Sequence, residues 1–194
     1  MKSIFGIESP LMRWLDTFAN LLYLNVLTVL LCIPVVTAGA AFTALHTVCL
    51  KMVRKEEGYI TGDFFRAFKS NFKQATGIWM IFLAGAAVVA LDVVVMYYAE
   101  VNFPFYVRGA VLVVGFFLLA TAMFVFPMQA RFENRVTVTI RNAFKACMIQ
   151  FPKTFLMMAV LVGEIFVIVK LPGWFGAFVI MFFFSFHAFI SELL

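Results

Sequence analysis

The chain has 194 residues, of which 64% are hydrophobic and 13% are charged, and its mean hydropathy is +1.03. Soluble domains are about half apolar and about one quarter charged, so this composition excludes an ordinary water-soluble fold. The net charge of +5 does not indicate nucleic-acid binding, because the cations lie between apolar runs and not on a basic arm. The sequence therefore predicts a single all-α membrane domain over residues 1–194.

The first apolar run, residues 15–33, predicts a membrane span that is retained in the protein and not cleaved as a signal peptide. Pro34 interrupts this run, because proline lacks the amide donor that a helix needs. Pro34, Thr37 and Gly39 define the predicted helix break, which we expect near the outer face. A shorter helix, residues 40–53, is expected to lead back toward the cytoplasm.

The remaining apolar runs predict four further spans, at residues 77–98, 107–126, 154–169 and 174–190. Pro127 is expected to end or kink the span at 107–126. The bundle therefore has about six transmembrane helices. Five result if residues 38–53 dip into the membrane and return, and the amino terminus then lies outside.

Two polar connections contain amphipathic segments that we expect to lie along the membrane surface, with one apolar and one basic face. Residues 51–73 carry six Lys and Arg residues and residues 131–153 carry five, whereas the turns at 99–108 and 170–173 carry one each. The positive-inside rule places both basic connections in the cytoplasm, together with both termini if there are six spans. The candidate partner-docking residues on these two segments are Phe64, Phe65, Arg66, Phe68, Lys69, Phe72, Lys73, Arg141, Phe144 and Lys145.

The same two segments carry a weak internal echo. Residues 61–74 align without gaps onto residues 137–150, and five positions match. Both segments precede a predicted span on the same side of the membrane, so a duplication would be parallel and not inverted. The alternative is that basic interfacial helices resemble one another by composition alone.

The sequence offers no familiar set of catalytic residues, zinc-binding residues or phosphate-binding glycines, so we expect no enzyme, no metal and no cofactor. Ionisable groups within membrane spans are functional candidates by default. Four residues qualify: Asp92, Glu164, His46 and His187. They suit a carrier for a small solute, but a structural role is the favoured interpretation. In that role Asp92 extends toward the outer surface or pairs with Arg108, and Glu164 pairs with Lys170 or with hydroxyl groups of neighbouring helices.

Part of the chain, about residues 18–76, resembles the YesL-like family, uncharacterised membrane proteins found chiefly in Gram-positive bacteria. The residues that carry the resemblance are the Cys-Ile-Pro-Val-Val-Thr-Ala-Gly run at 32–39, the Ala-Leu pair at 44–45, the Glu-Glu-Gly-Tyr turn at 56–59 and the segment 63–73. Where the family commonly has an aromatic residue after the Ala-Leu pair, this chain has His46. A family role for that position is therefore not implied here.

The resemblance implies a multi-pass cell-membrane protein without catalytic residues. Family members are often encoded beside carbohydrate ABC importers, which implies a supporting role in oligosaccharide uptake. We therefore expect an accessory or regulatory subunit whose partners are the permease subunits or the ATPase of such an importer. The alternative is a stand-alone carrier or channel for a small solute that uses the intramembrane acids.

Overall fold

The computed structural model describes residues 10–56, 58–98, 103–132, 134–170 and 185–192, and these residues form helices joined by short connections. The six α-helices are α1 (Pro10–Cys32), α2 (Ala38–Val53), α3 (Ile60–Tyr98), α4 (Phe105–Arg131), α5 (Val136–Ile149) and α6 (Phe151–Lys170). A single 3-10 turn, Val35–Thr37, separates α1 from α2, and residues 185–192 form a further helical segment. The predicted all-α fold is confirmed.

Within the described residues, four stretches are long and apolar enough to cross a membrane: Leu15–Cys32, Val35–Val53, Ile60–Tyr98 and Phe105–Arg131. The bent pair formed by α5 and α6 makes a fifth when it is counted as one span. Large apolar side chains such as Leu91 and Leu112 are exposed along α3 and α4, which suits lipid and not water as the surrounding solvent. The helical membrane bundle is thus confirmed with four or five candidate spans. Of the predicted sixth span, only residues 185–190 lie within the described part of the chain.

Helix α2 lies at the centre of the described bundle and packs against α1, α3 and α4. Its small side chains explain this position, because Ala40, Ala41 and Ala44 are completely buried and let the neighbouring helices approach closely. Gly39 shows the tightest approach. A Cβ atom placed on it would lie 2.5 Å from both the Ala75 carbonyl oxygen and the Trp79 Cβ.

A helix break lies at the predicted position, between the end of α1 at Cys32 and the start of α2 at Ala38. The Thr37 hydroxyl donates hydrogen bonds to the carbonyl oxygens of Leu31 and Pro34, which closes the turn. The Trp79 indole donates to the Val35 carbonyl at 2.7 Å. The break therefore lies directly beside Trp79 of α3.

The length of α2 explains why the break lies beside the middle of α3. Helix α2 has 16 residues, which give about 24 Å at 1.5 Å per residue, whereas the 39 residues of α3 give about 58 Å. It therefore accompanies only the first half of α3. The second half of α3 packs against the first half of α4 instead, where the Leu118 side chain meets Gly85 and the Val89 side chain meets Gly115.

Helix α3 joins the predicted amphipathic segment and the predicted third span into one helix of 39 residues. No proline interrupts the stretch between them, and its polar residues Asn71 and Gln74 find partners without a break in the helix. The amphipathic face therefore continues directly into the apolar stretch, and a separate surface helix is not seen here.

Pro127 does not end α4, which continues for one more turn to Arg131. The proline removes a single backbone hydrogen bond, and its ring is buried with the neighbouring side chains of the bundle. The extra turn matters, because it carries Gln129 and Arg131 to the polar end of the helix.

The second amphipathic segment is separate from its span, because α5 and α6 meet at 96°. Pro152 lies in the first turn of α6, where proline is tolerated, but it cannot continue a helix that arrives from α5. The aligned position in the first segment is Thr76, which permits an uninterrupted α3. The two similar segments therefore join their spans differently: the first continues into its span as one helix, and the second is followed by a sharp bend.

Two apolar clusters hold the bundle together. The first joins α1, α2 and the start of α3 to the C-terminal helical segment, around Leu24, Leu45 and Phe64. The second joins the middle of α3 to α4, α5 and α6, around Ile78 and Val125. Between and beside these clusters, one end of the bundle is polar.

Candidate functional site

Charged residues from several helices meet at one end of the bundle, which we call the basic end. It is defined by Lys51 on α2, Asp63 and Arg66 on α3, Arg131 on α4, and Glu192 in the C-terminal helical segment. The chain order explains the meeting: α2 ends and α3 begins beside the same short loop, and α4 returns to this end beyond Pro127. The basic end is the part of the described structure with the richest polar chemistry.

Asp63 connects the two helices that flank the loop. Its carboxylate lies 3.0 Å from the Lys51 ammonium and 4.0 Å from the Arg66 guanidinium. The Asp63 side chain is mostly buried, whereas Arg66 retains 83% of its side-chain exposure. One acid is therefore shared between two cations, of which Arg66 is held only loosely.

Glu192 forms a second shared ion pair, deeper in the bundle. One carboxylate oxygen lies 3.2 Å from His46 Nδ1, and the other accepts hydrogen bonds from the Arg131 guanidinium, at 2.5 Å from one terminal nitrogen and 3.1 Å from Nε. The Glu192 side chain is completely buried, while that of Arg131 is 37% exposed. The C-terminal helical segment is thereby tied to both α2 and α4.

The protonation of Glu192 follows from these contacts. Burial by itself raises the pKa of this carboxyl group, but its hydrogen bonds and charge interactions with His46 and Arg131 outweigh burial and leave the pKa below its ordinary value. Glu192 is therefore ionised at neutral pH and neutralises Arg131. A buried carboxylate that pairs with both an arginine and a histidine is expected to resist removal from this position.

Uncharged polar side chains link α3, α4 and α5 beside these ion pairs. The buried Gln129 amide donates to the Asn71 side-chain oxygen at 3.4 Å and accepts from the Thr139 hydroxyl at 3.3 Å. Asn71 in turn donates to the Ala67 carbonyl oxygen at 3.0 Å. Gln74 donates to the Asn134 carbonyl oxygen, which fixes the connection between α4 and α5. These bonds hold the polar side chains of the basic end in place.

A cleft of about 280 Å³ opens between α2, α3 and α4 at the basic end. Its polar lining includes Lys51, Asp63, Arg66, Asn71, Gln129 and Arg131. Phe132 contributes an exposed aromatic ring to the same cleft. Among the charged side chains of the lining, three cations stand against one acid, so the cleft suits an anion better than a cation.

The predicted partner-docking residues divide between surface and core. The cations Arg66, Lys69 and Lys73 are exposed on α3, and Phe65 and Phe72 are partly exposed beside them. On α5, the exposed docking candidates are Arg141, Phe144 and Lys145.

The structure corrects the prediction that Phe64 lies on a partner-docking surface, because Phe64 is completely buried in the first apolar cluster. Phe68 is half-buried against the same cluster. Spacing alone assigned all four phenylalanines to one face, but in the structure that face turns partly toward α1 and α2. Phe64 is therefore a packing residue and is not available to a partner.

The predicted intramembrane candidates are brought together only in part, because the two histidines lie close enough to interact electrostatically. His46 is buried against Glu192, and His187 lies half-buried in the C-terminal helical segment. Asp92 is exposed far along α3, outside the polar cleft, and no ion pair with Arg108 is present in the described structure. The side chain of Glu164 lies outside the described residues.

Sequence reasoning missed Glu192 and the final turn of α4. Glu192 is the sole acid after Glu164 in the sequence, and it follows an apolar stretch directly. An acid in such a position requires a cationic partner, which was the available signal. Its identity as Arg131, 61 residues earlier, depends on how α4 folds back and is not visible in any local pattern.

The residues that the structure describes do not bring three His, Cys, Asp or Glu side chains together in a group that could hold a metal ion. Cys49 and Cys147 are buried in different apolar clusters. These two residues and Cys32 are free cysteines and form no disulfide. The chemistry offered by the basic end is therefore hydrogen bonding and charge, carried mainly by arginine, lysine and amide side chains.

Comparison with known family models gives a match that covers the helices at the centre of the bundle. No curated protein and no solved structure matches the chain significantly. A family model described as "Protein of unknown function, DUF624" matches residues 21–93, which include about half of α1, all of α2 and most of α3. This part of the chain is therefore similar to the DUF624 proteins.

Proposed function

We propose that this chain is a YesL-like multi-pass protein of the cell membrane that serves as a non-catalytic accessory or regulatory subunit of a carbohydrate ABC importer. In this proposal the basic end faces the cytoplasm. The observation that carries it is a row of three exposed cations on α3, Arg66, Lys69 and Lys73. Such a row provides a contact surface without any catalytic group.

Charge and shape support a role by contact. Exposed cations beside exposed aromatic rings are typical of surfaces that dock an acidic or mixed partner, because the rings supply buried area and the cations supply orientation. The α5 face, with Phe144 between Arg141 and Lys145, offers a second surface of the same kind. A permease or ATPase subunit is the partner that the family resemblance implies.

The positive-inside rule supports the orientation. The clustering of cations at the basic end, on the connections α2–α3 and α4–α5, is the asymmetry that places a connection in the cytoplasm. The ATPase of an importer is reached from that side. The proposed contact surface and the proposed orientation are therefore consistent with one another.

Affinity purification of the tagged protein in a mild detergent tests this proposal. We expect importer subunits to co-purify with the native chain and to fall by about tenfold or more when Lys69→Glu and Lys73→Glu are combined, because like charges then face the partner. The matched control combines Arg108→Glu with Lys170→Glu, which makes the same charge change in the predicted outer turns. The proposal is contradicted if importer subunits do not co-purify with the native chain. It is also contradicted if the control variant loses them as well.

A stand-alone carrier for a small solute is the second candidate, and the buried His46–Glu192 pair favours it. Buried ionisable pairs within a membrane bundle are common in proton-coupled carriers. Uptake into vesicles that contain the purified chain alone supports this candidate if it is lost with Asp92→Asn and Glu164→Gln, or with His46→Gln. Uptake that survives all three substitutions removes its basis.

A further inference from the structure

The cleft at the basic end has the features of a site for a small anion. It has a volume of about 280 Å³ and lies between the ends of three helices. Pockets for drug-sized ligands begin at about 300 Å³, so this cleft suits a small group and not a large apolar molecule. Its lining is polar on all three helices, with Lys51 on α2, Asn71 on α3 and Gln129 on α4.

The charge of the cleft is not balanced by the acids around it. Asp63 is shared by Lys51 and Arg66, and Glu192 is shared by Arg131 and His46. The three permanent cations therefore face two carboxylates, which leaves one positive charge even when His46 is neutral. An anion that enters the cleft supplies the missing negative charge.

Arg66 is the residue best placed to bind such an anion. Its guanidinium lies 4.0 Å from Asp63, which is longer than a hydrogen bond, and its side chain is 83% exposed. A guanidinium has five N–H donors in a planar fork that matches the oxygens of a phosphate group. Ser70, one turn further along α3, adds a hydroxyl to the same lining.

The other polar side chains of the cleft are held in position before any ligand arrives. Asn71 donates to the Ala67 carbonyl oxygen and to the Ser70 hydroxyl, and Gln129 donates to Asn71. A preorganised lining loses little side-chain freedom on binding, so more of the interaction energy appears as affinity. A metal cation is disfavoured, because Asp63 is the sole acid in the described lining and already has two cationic neighbours.

We propose that the cleft between α2, α3 and α4 binds a phosphate group through Arg66, with Lys51 and Arg131 supplying further positive charge. The group is carried either by free phosphate or by the headgroup of an anionic lipid. This site does not depend on the proposed importer role, and its test needs no partner protein.

The test compares Arg66→Gln with Arg141→Gln in the purified full-length chain. Both substitutions remove one exposed arginine, but Arg141 lies on α5 and does not line the cleft. Titration calorimetry with inorganic phosphate measures the first source. Native mass spectrometry of the protein extracted from vesicles measures retained phosphatidylglycerol, the second source, with phosphatidylcholine as the uncharged comparison.

We expect Arg66→Gln to weaken binding by about tenfold or more and Arg141→Gln to leave it nearly unchanged, because only Arg66 reaches the ligand. Arg66→Lys keeps the charge without the planar fork and is expected to fall between the two. Loss of phosphate binding in Arg66→Gln supports the free anion, and loss of phosphatidylglycerol alone supports the headgroup. If neither ligand distinguishes Arg66→Gln from Arg141→Gln, or if neither binds the native chain, the proposal is overturned.

Discussion

Replacing Glu192 with alanine is expected to destabilise the protein by about 3 kcal/mol, because removal of one partner from a buried ion pair leaves the other without compensation. Arg131 and His46 both lose their contact to this carboxylate. Arg131 is 37% exposed and can turn partly toward solvent, so the expected loss lies at the lower end of the range for buried pairs. The C-terminal helical segment is expected to separate from α2 and α4.

Thermal unfolding in detergent measures this effect, with a thiol-reactive dye that labels the buried Cys49 and Cys147 as they become exposed. Glu56→Ala is the matched control, because Glu56 belongs to an exposed pair with Arg54 at 3.9 Å and should change stability little. In a double-mutant cycle, Arg131→Ala combined with Glu192→Ala should cost less than the sum of the single changes. Equal melting temperatures for Glu192→Ala and Glu56→Ala contradict the claim that Glu192 holds the C-terminal helical segment against α2 and α4.

Gly39→Ala is expected to destabilise the protein by about 2 kcal/mol, even though alanine is the better helix former. The added Cβ would lie 2.5 Å from the Ala75 carbonyl oxygen and from the Trp79 Cβ, so α2 and α3 must move apart. The indole hydrogen bond from Trp79 to Val35 lies at the same contact and is expected to weaken as well.

Gly77→Ala supplies the opposite expectation within the same pair of helices. A Cβ on Gly77 meets no atom within 4 Å, so the substitution should gain up to about 1 kcal/mol from helix propensity. The two variants should therefore shift the melting temperature in opposite directions in the same unfolding assay. A shift of the same sign for both variants would show that α2 and α3 do not approach closely at Gly39.

Composition and apolar run length predicted the membrane bundle, because the hydrophobic requirement of the bilayer is imposed on every span separately. The break around Pro34 was also predictable, since proline acts on the backbone of its own turn. The position of that break beside α3 was not. It depends on α2 lying along the first half of α3, which a long-range contact such as Gly39 against Ala75 decides.

The basic end was also predictable only in part. The cations of residues 51–73 and 131–153 marked two polar connections in the sequence, but the pattern did not show which cations are paired and which are exposed. Arg66 stays exposed while Lys51 pairs with Asp63, and Phe64 turns inward from a face that looked uniform. Such assignments require the relative rotation of neighbouring helices, which no single helix specifies.

Photo-crosslinking from position 69 tests most directly the central claim that the exposed cations of α3, Arg66, Lys69 and Lys73, form a contact surface for an importer. A photoreactive residue replaces Lys69, which is exposed on α3, and in a second variant it replaces Leu112, which is exposed on α4. Irradiation of cells should attach a permease or ATPase subunit to position 69 and not to position 112. Absence of importer subunits from position 69, or equal adducts from both positions, would contradict the account.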